Sequence, residues 1–194
     1  MKNNRRDSRH GGRQKLNPLA VLQEYPELRL TVKKLGWLYK NTFKCLTDFE
    51  KEMIFFWVSF LNKCSYCCIS HGFPLIKLSK DPDLPAKLIR WETDALAAAQ
   101  HRTVLEFVAK FTRHPYDFGG NDLARLQKAG YSKKAVEEII LMVAIANLVN
   151  RIVTGFQAEL PEHLKIVWEQ WRDGAWQGEQ QLKKSSKEKS KREK

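Results

Sequence analysis

The chain has 194 residues, of which 43% are hydrophobic, and this is enough for one globular domain with its own core. The net charge of +12 is concentrated at the ends, because residues 1–15 and 183–194 each carry +5. Since the rest is close to neutral, we do not expect nucleic acid as a partner. We predict disordered basic tails at 1–15 and 176–194 around a single helical domain at 16–175.

Apolar residues recur every three or four positions, which predicts an all-α fold, and the alternation typical of strands is not evident. The predicted helices lie at about 26–40, 48–61, 64–78, 86–95, 99–112, 122–129, 133–157 and 161–171. Gly72 and Pro74 can kink the third of these helices or end it early, so its C-terminal bound stays open.

Three of the helices have clear start signals. Thr47 and Glu50 form a capping box before the second helix. Asn121 or Asp122 is the predicted cap of the sixth, and Ser132 that of the seventh. The second helix is apolar on nearly all sides, so we expect neighbouring helices and a second subunit to cover it.

No apolar stretch reaches the roughly 20 residues that a membrane-spanning helix requires. The longest stretches, Met53–Leu61 and about 139–149, are interpreted as buried helices. The N-terminus is charged and lacks the apolar segment of a secretory signal. These features predict a cytoplasmic protein, in which clustered cysteines are expected to be catalytic or metal-binding rather than structural disulfides.

Three of the four cysteines lie in the octapeptide Cys64–His71. Cys64, Cys67 and His71 are spaced i, i+3 and i+7, so on one helix they share a face. His71 can take a proton from a thiol, and Glu52 is the candidate carboxylate that orients this histidine. A helix N-terminus favours a thiolate at Cys64, whereas the four-residue spacing to His71 favours one at Cys67, and both assignments stay open.

The same residues allow other interpretations. A structural zinc site needs four ligands, so Cys45 or Cys68 would have to complete the set. Cysteines also pack in cores as small hydrophobic residues, which is our expectation for Cys68. A thioredoxin-type site is disfavoured because a helix, and not a strand, precedes the Cys-x-x-Cys motif. Glu52 can equally be a solvated residue in the first turn of its helix.

The spacing Glu52-x11-Cys64-x-x-Cys67-x-x-x-His71 resembles the signature of the AhpD-like alkylhydroperoxidases in the carboxymuconolactone decarboxylase superfamily. The stretch 146–155 is similar to the closing helix of its peroxidase-related branch, and the likeness covers about 46–160. This resemblance implies an AhpD-like multi-helix bundle with the Cys-x-x-Cys motif near a helix N-terminus. It also implies a homo-oligomer, either a trimer or a hexamer.

The resemblance further implies a thiol-dependent peroxidase without metal or cofactor. One cysteine of the Cys64/Cys67 pair is oxidised by a hydroperoxide, and the other resolves it as a disulfide. A lipoyl-like or thioredoxin-like dithiol protein then restores the thiols. His71 and Glu52 match the family's proton relay. Tyr66 stands where better-studied members have a second histidine, and it is kept as a supporting residue that can hydrogen-bond but not relay protons near neutral pH.

Two other functions are kept as alternatives. A carboxymuconolactone decarboxylase-like enzyme would not need the two cysteines, and a non-enzymatic oligomeric scaffold would act through its basic tails. His101 and His114 have no partner at a telling spacing and are expected at the surface. Asn147, Asn150 and Arg151 interrupt an apolar helix, so we expect them to tie helix ends or a subunit contact together, or to line the pocket.

Overall fold

The computed structural model describes residues 19–96 and 98–173, and the predicted tails at 1–15 and 176–194 lie outside this range. Within it the chain forms helices and turns but no strand, which confirms the all-α prediction. The helices are α1 (Pro26–Thr42), α2 (Asp48–Leu61), α3 (Ser65–Ser79), α4 (Leu84–Ile89), α5 (Ala99–Arg113), α6 (Gly120–Lys128), α7 (Lys133–Gly155) and α8 (Glu162–Arg172). None of these helices is long and apolar enough to cross a membrane.

The helix α2 is the centre of the fold, since α3, α5 and α7 all pack against it. It begins at the predicted capping box, in which Thr47 and Glu50 each bond the other's backbone N–H. Met53, Phe56 and Trp57 are fully buried, and each contributes about 1.5–3 kcal/mol by leaving water. The expectation that neighbouring helices cover α2 is therefore confirmed, while its coverage by a second subunit stays a prediction.

Two predicted helix bounds are wrong. The fourth helix was expected at 86–95, but α4 ends at Ile89 and a separate 3-10 turn covers Thr93–Ala95. Trp91 between them has a φ of 62°, which an α-helix does not allow. The cap of α6 is Gly119, and Asp122 instead accepts the Gly119 N–H from the third helical position at 3.0 Å.

The helix α3 runs through Gly72 and Pro74 to Ser79, which confirms the predicted bounds of about 64–78, and the early end that these residues left open does not occur. Packing offsets the hydrogen bond that Pro74 cannot donate. Leu75 beyond the proline is fully buried, and the indole ring of Trp171 on α8 lies directly against Gly72. Only a residue without a side chain allows this close approach of α8 to the helix that carries the cysteines.

The contact at Gly72 leads to a stability prediction. In Gly72→Ala the new β-carbon would overlap the Trp171 ring, so we expect the free energy of unfolding to fall by about 1–3 kcal/mol. Gly36→Ala is the matched control, because a β-carbon there meets no atom within 4 Å in the middle of α1. This variant should gain about 0.5–1 kcal/mol. Urea unfolding measures the free energy of unfolding of both variants. Equal changes in Gly72→Ala and Gly36→Ala would contradict the proposed overlap with the Trp171 ring.

Candidate active site

The two cysteines of the motif lie at the start of α3, joined as a disulfide with their Cα atoms 5.3 Å apart. Lys63 has a φ of 58°, so the chain turns sharply before α3, and the Cys64 N–H donates to the Ser59 carbonyl at 2.9 Å. Cys64 is the N-cap rather than the first helical residue, and its sulfur accepts the Cys67 N–H at 3.3 Å. A sulfur in this position is well placed to be stabilised as a thiolate in the reduced protein.

Glu52 and His71 are brought together across the interface between α2 and α3. The Glu52 carboxylate lies 2.6 Å from Nδ1 of His71, and the imidazole stacks on Phe55 with ring centroids 3.8 Å apart. The Glu52 side chain is only 13% exposed, so the alternative of a solvated first-turn residue is wrong. Because a carboxylate accepts hydrogen bonds, Nδ1 carries the proton and Nε2 of the neutral ring is left as the basic nitrogen.

Tyr39 adds a polar group that the sequence did not indicate for this site. It comes from α1, is buried, and packs against Phe55 at 5.7 Å between ring centroids. Burial, and then the negative charge of Glu52, raise the pKa of the Tyr39 phenol above its usual range. The phenol therefore keeps its proton at physiological pH and can act as a hydrogen-bond donor.

A cavity of about 350 Å³ opens beside His71, between α1, α2, α3 and α7. Its walls are mostly apolar and include Val32, Phe55, Ile69, Ile145 and Val149. Its polar lining consists of Lys33, Tyr39, Lys40, Ser70 and His71. The cavity thus reaches the histidine of the site, whereas neither cysteine of the pair contributes to its lining.

A network of amide side chains holds the junction between α2 and α3. Asn62, which ends α2, donates to the side-chain oxygens of Asn147 and Asn150, each at 3.0 Å. Asn150 in turn donates to the Ser59 hydroxyl at 3.1 Å, and Arg151 donates to the Asn147 side chain at 2.7 Å. The expectation that these residues tie helix ends together is confirmed, and none of them lines the cavity beside His71.

The two remaining cysteines differ in their exposure. Cys68 is fully buried, and burial raises the pKa of its thiol well above the ordinary value, which confirms the expectation of a packing role. Cys45 is exposed in the connection between α1 and α2. Tyr66 is buried, and its carbonyl accepts the Ser70 hydroxyl at 2.9 Å. Over residues 19–96 and 98–173, no group of three or more His, Cys, Asp or Glu is placed to hold a metal ion.

A second buried carboxylate–histidine pair was not predicted. His101 was expected at the surface, but it is buried, and its Nε2 lies 3.6 Å from the Glu50 carboxylate. Tyr131 donates to the same oxygen of Glu50 at 2.6 Å. The signal was present in the sequence, because Leu105 and Val108 follow His101 at four and seven positions on one helical face. His114 is exposed, as predicted.

The Glu50 cluster leads to a prediction on acid stability. Burial raises the pKa of Glu50, but hydrogen bonds with His101, Tyr131 and Thr47 outweigh it and lower the value from 4.5 to about 2. A pKa lowered by folding stabilises the native state above the unfolded value, and this contribution is lost as pH falls through the folded value. We expect a loss of about 3 kcal/mol between pH 5 and pH 2, measured by denaturant unfolding.

The matched variant for this measurement is Glu50→Gln. It should be less stable than the wild type at pH 7 and should lose less stability on acidification, because the titrating group is gone. If both proteins lose the same free energy between pH 5 and pH 2, Glu50 is not the group responsible.

The fold and the site have counterparts among solved structures. The chain is similar to an uncharacterized peroxidase-related protein from Silicibacter sp. TM1040, with 26% identity, a TM-score of 0.70, and coverage of 76% of this chain and 78% of that one. It is also similar in fold to the alkylhydroperoxidase AhpD core of an uncharacterized peroxidase-related protein from Ralstonia eutropha JMP134, with 21% identity, a TM-score of 0.68, and coverage of 79% and 78%.

No protein-family model matches the chain, and no curated protein matches it in sequence. The likeness therefore rests on the three-dimensional arrangement, in which an all-helical fold presents Cys64 and Cys67 at the start of one helix. This arrangement and the two structural neighbours agree with what the motif indicated: the chain has the all-helical fold of AhpD-like, peroxidase-related proteins.

Proposed function

We propose that the protein is a thiol-dependent peroxidase that cycles between the Cys64/Cys67 dithiol and its disulfide. The observation that supports this most is the 2.6 Å contact between Glu52 and Nδ1 of His71, one helical turn beyond Cys67. A histidine held in this way is a suitable general base for a thiol and a suitable acid for a leaving alkoxide. The likeness to a peroxidase-related protein at 26% identity supports the same class of reaction.

The proposed reaction has two steps. A thiolate of the pair attacks one peroxide oxygen, the O–O bond breaks, and the alkoxide leaves as an alcohol after taking a proton from His71. The cysteine that made the attack is then a sulfenic acid. The second thiol attacks the sulfenic sulfur, the S–O bond breaks, and water leaves as the disulfide forms. The two thiols are oxidised by two electrons in total, and the hydroperoxide is reduced to an alcohol and water.

Completing the cycle requires a dithiol reductant, and we propose a lipoyl-like or thioredoxin-like protein for this role. Thiol–disulfide exchange would transfer two electrons and two protons from its dithiol to the Cys64–Cys67 disulfide.

We also propose that the protein is a homo-oligomer. The oligomer is supported by large apolar side chains that are exposed on α1 and α7, namely Leu30, Trp37, Leu141 and Leu148.

The proposed function is tested by mapping free thiols before and after one equivalent of hydroperoxide. Reduced protein is treated with hydrogen peroxide, quenched with an alkylating agent at set times, and digested for mass spectrometry. We expect Cys64 and Cys67 to lose alkylation together within seconds to minutes, while Cys45 and Cys68 stay alkylated. Folded protein in which the pair stays fully alkylated would overturn the proposal.

A further inference from the structure

The backbone of Cys64 is held by the last turn of α2. The Cys64 N–H donates to the Ser59 carbonyl at 2.9 Å, and the Lys63 N–H donates to the Phe60 carbonyl at 3.0 Å. With Lys63 in the left-handed region at a φ of 58°, these two bonds form the Schellman motif that commonly ends a helix. Since Cys64 is at the same time the N-cap of α3, this turn decides where its sulfur lies relative to that helix.

The turn contains a residue that does not favour it. Glycine is usual at the left-handed position of a Schellman motif, because a β-carbon there crowds the following carbonyl oxygen. This chain has Lys63 at that position. The preceding residue, Asn62, donates to the side-chain oxygens of Asn147 and Asn150, each at 3.0 Å. Contacts from α7 therefore support a turn that its own sequence does not favour.

Asn150 is the residue of α7 that contacts α2 on both sides of its last turn. It is buried, with 1% of its surface exposed, and its side-chain oxygen accepts the bond from Asn62. Its amide nitrogen donates to the Ser59 hydroxyl at 3.1 Å, and that hydroxyl donates to the Phe55 carbonyl at 2.7 Å. The residue whose carbonyl receives the Cys64 N–H is thus itself bonded to α7 through its side chain.

We propose that Asn150 is a positioning residue for the redox pair. Through Ser59 it holds Cys64 in the place where its sulfur accepts the Cys67 N–H. That bond is 3.3 Å long and lies at the N-terminus of α3, where the N–H group and the helix dipole both stabilise a negative charge. If the turn shifts, this contact lengthens and the thiolate loses stabilisation.

The inference deepens the proposed function, on which its meaning for catalysis rests. It applies to either order of reaction. If Cys64 attacks the peroxide, it does so as a thiolate, and if it instead resolves the sulfenic acid of Cys67, it again reacts as a thiolate. In both cases a Cys64 sulfur that is less readily ionised slows formation of the disulfide.

The test is a titration of the Cys64 thiolate, followed by its ultraviolet absorbance in reduced full-length protein. The reference protein carries Cys45→Ser and Cys67→Ser, which keep the backbone N–H at the second position. Cys68 does not interfere, because burial raises the pKa of its thiol well above the ordinary value. Adding Asn150→Ala should move the midpoint of the titration to higher pH by about one unit, as weakening of a charge-assisted hydrogen bond implies. An unchanged midpoint in the folded variant would overturn the inference.

Two further variants separate positioning from a general loss of stability. Glu50→Gln should destabilise the protein at the opposite end of α2 and leave the midpoint where it is. Ser59→Ala removes the hydroxyl that Asn150 contacts but keeps the carbonyl, so it should shift the midpoint in the same direction, and it decides the question if Asn150→Ala does not fold. The double variant Asn150→Ala/Ser59→Ala should shift the midpoint no further than Asn150→Ala alone. Additive shifts, or an equal shift in Glu50→Gln, would overturn the inference.

A rescue tests the role of the turn itself. Glycine favours the left-handed conformation, so adding Lys63→Gly to Asn150→Ala should return the midpoint toward that of the reference protein. Lys63→Ala is the matched control, because it removes the same positive charge without favouring the turn. If the glycine and alanine variants have the same midpoint, the turn does not transmit the effect and the inference is wrong.

The titration also separates this inference from the proposed function, because it uses no peroxide. If a hydroperoxide does not oxidise the pair, the proposed function fails, whereas the titration still decides whether Asn150 positions Cys64. If the pair is oxidised but the midpoint does not move in Asn150→Ala, the peroxidase stands and the inference is wrong.

Discussion

Replacing either cysteine of the pair, in Cys64→Ser or Cys67→Ser, should abolish peroxide reduction over multiple turnovers with a dithiol reductant. The proposed cycle needs one thiol to attack the peroxide and the other to displace water from the sulfenic acid. A serine hydroxyl can do neither at neutral pH, because it is not ionised. The measurement is the consumption of hydroperoxide by catalytic amounts of protein in the presence of a reduced dithiol. Turnover retained in both single variants would exclude the mechanism.

The same two variants decide which thiol attacks the peroxide. The N-cap position and the N–H bond to its sulfur favour Cys64, whereas the position one turn before His71 favours Cys67. The variant that keeps the attacking cysteine should still form one equivalent of sulfenic acid, which a dimedone label detects by mass spectrometry. Cys45→Ser is the control, because this exposed thiol lies outside the site and its loss should leave turnover unchanged.

Removing the imidazole in His71→Asn should lower the rate of disulfide formation by about 10²–10⁴-fold. An amide cannot accept a proton from a thiol or return one to an alkoxide. Glu52→Gln should act in the same direction, because an amide partner neither fixes the tautomer nor stabilises the imidazolium as a carboxylate does. The rate constant is measured in single turnovers by quenched alkylation of the reduced protein.

A pH series distinguishes a chemical role of His71 from a packing role. His71 stacks on Phe55, so its replacement also removes a contact. The pH profile of the rate should differ between the wild type and His71→Asn, because only the wild type has a group at this position that exchanges a proton with the reactants. His114→Asn, at an exposed position away from the site, should retain the profile. A His71→Asn protein with an unchanged profile would leave the histidine only a packing role.

Most helices were predictable because their signals are local. The Thr47 and Glu50 capping box begins α2, and Ser132 caps α7 through the N–H of Ala135. The predicted bounds of α3 are confirmed through Pro74. The prediction was wrong at Trp91, whose positive φ divides the region expected to form one helix, and whose ring packs against Trp57 of α2 with centroids 5.3 Å apart.

Some residues of the site were likewise predictable from local sequence, whereas others depend on how the helices pack. The spacing of Cys64, Cys67 and His71 is a property of one helix, so the sequence placed all three on α3 without knowledge of the rest. That Glu52 contacts this histidine depends on how α2 packs against α3, and spacing alone left its role open. The position of His101 on the apolar face of α5 indicated its burial, but its contact with Glu50 depends on how α5 packs against α2.

By itself the sequence determined the all-helical class and the place of the Cys-x-x-Cys motif at a helix start. These follow from periodicity, capping and spacing, which act over a few residues. The tertiary structure decided that Glu52 reaches His71 and that α1 brings Tyr39 and its lysines to a cavity beside that histidine. Such contacts join residues far apart in the chain, and only the packing of apolar helix faces against one another sets their distance.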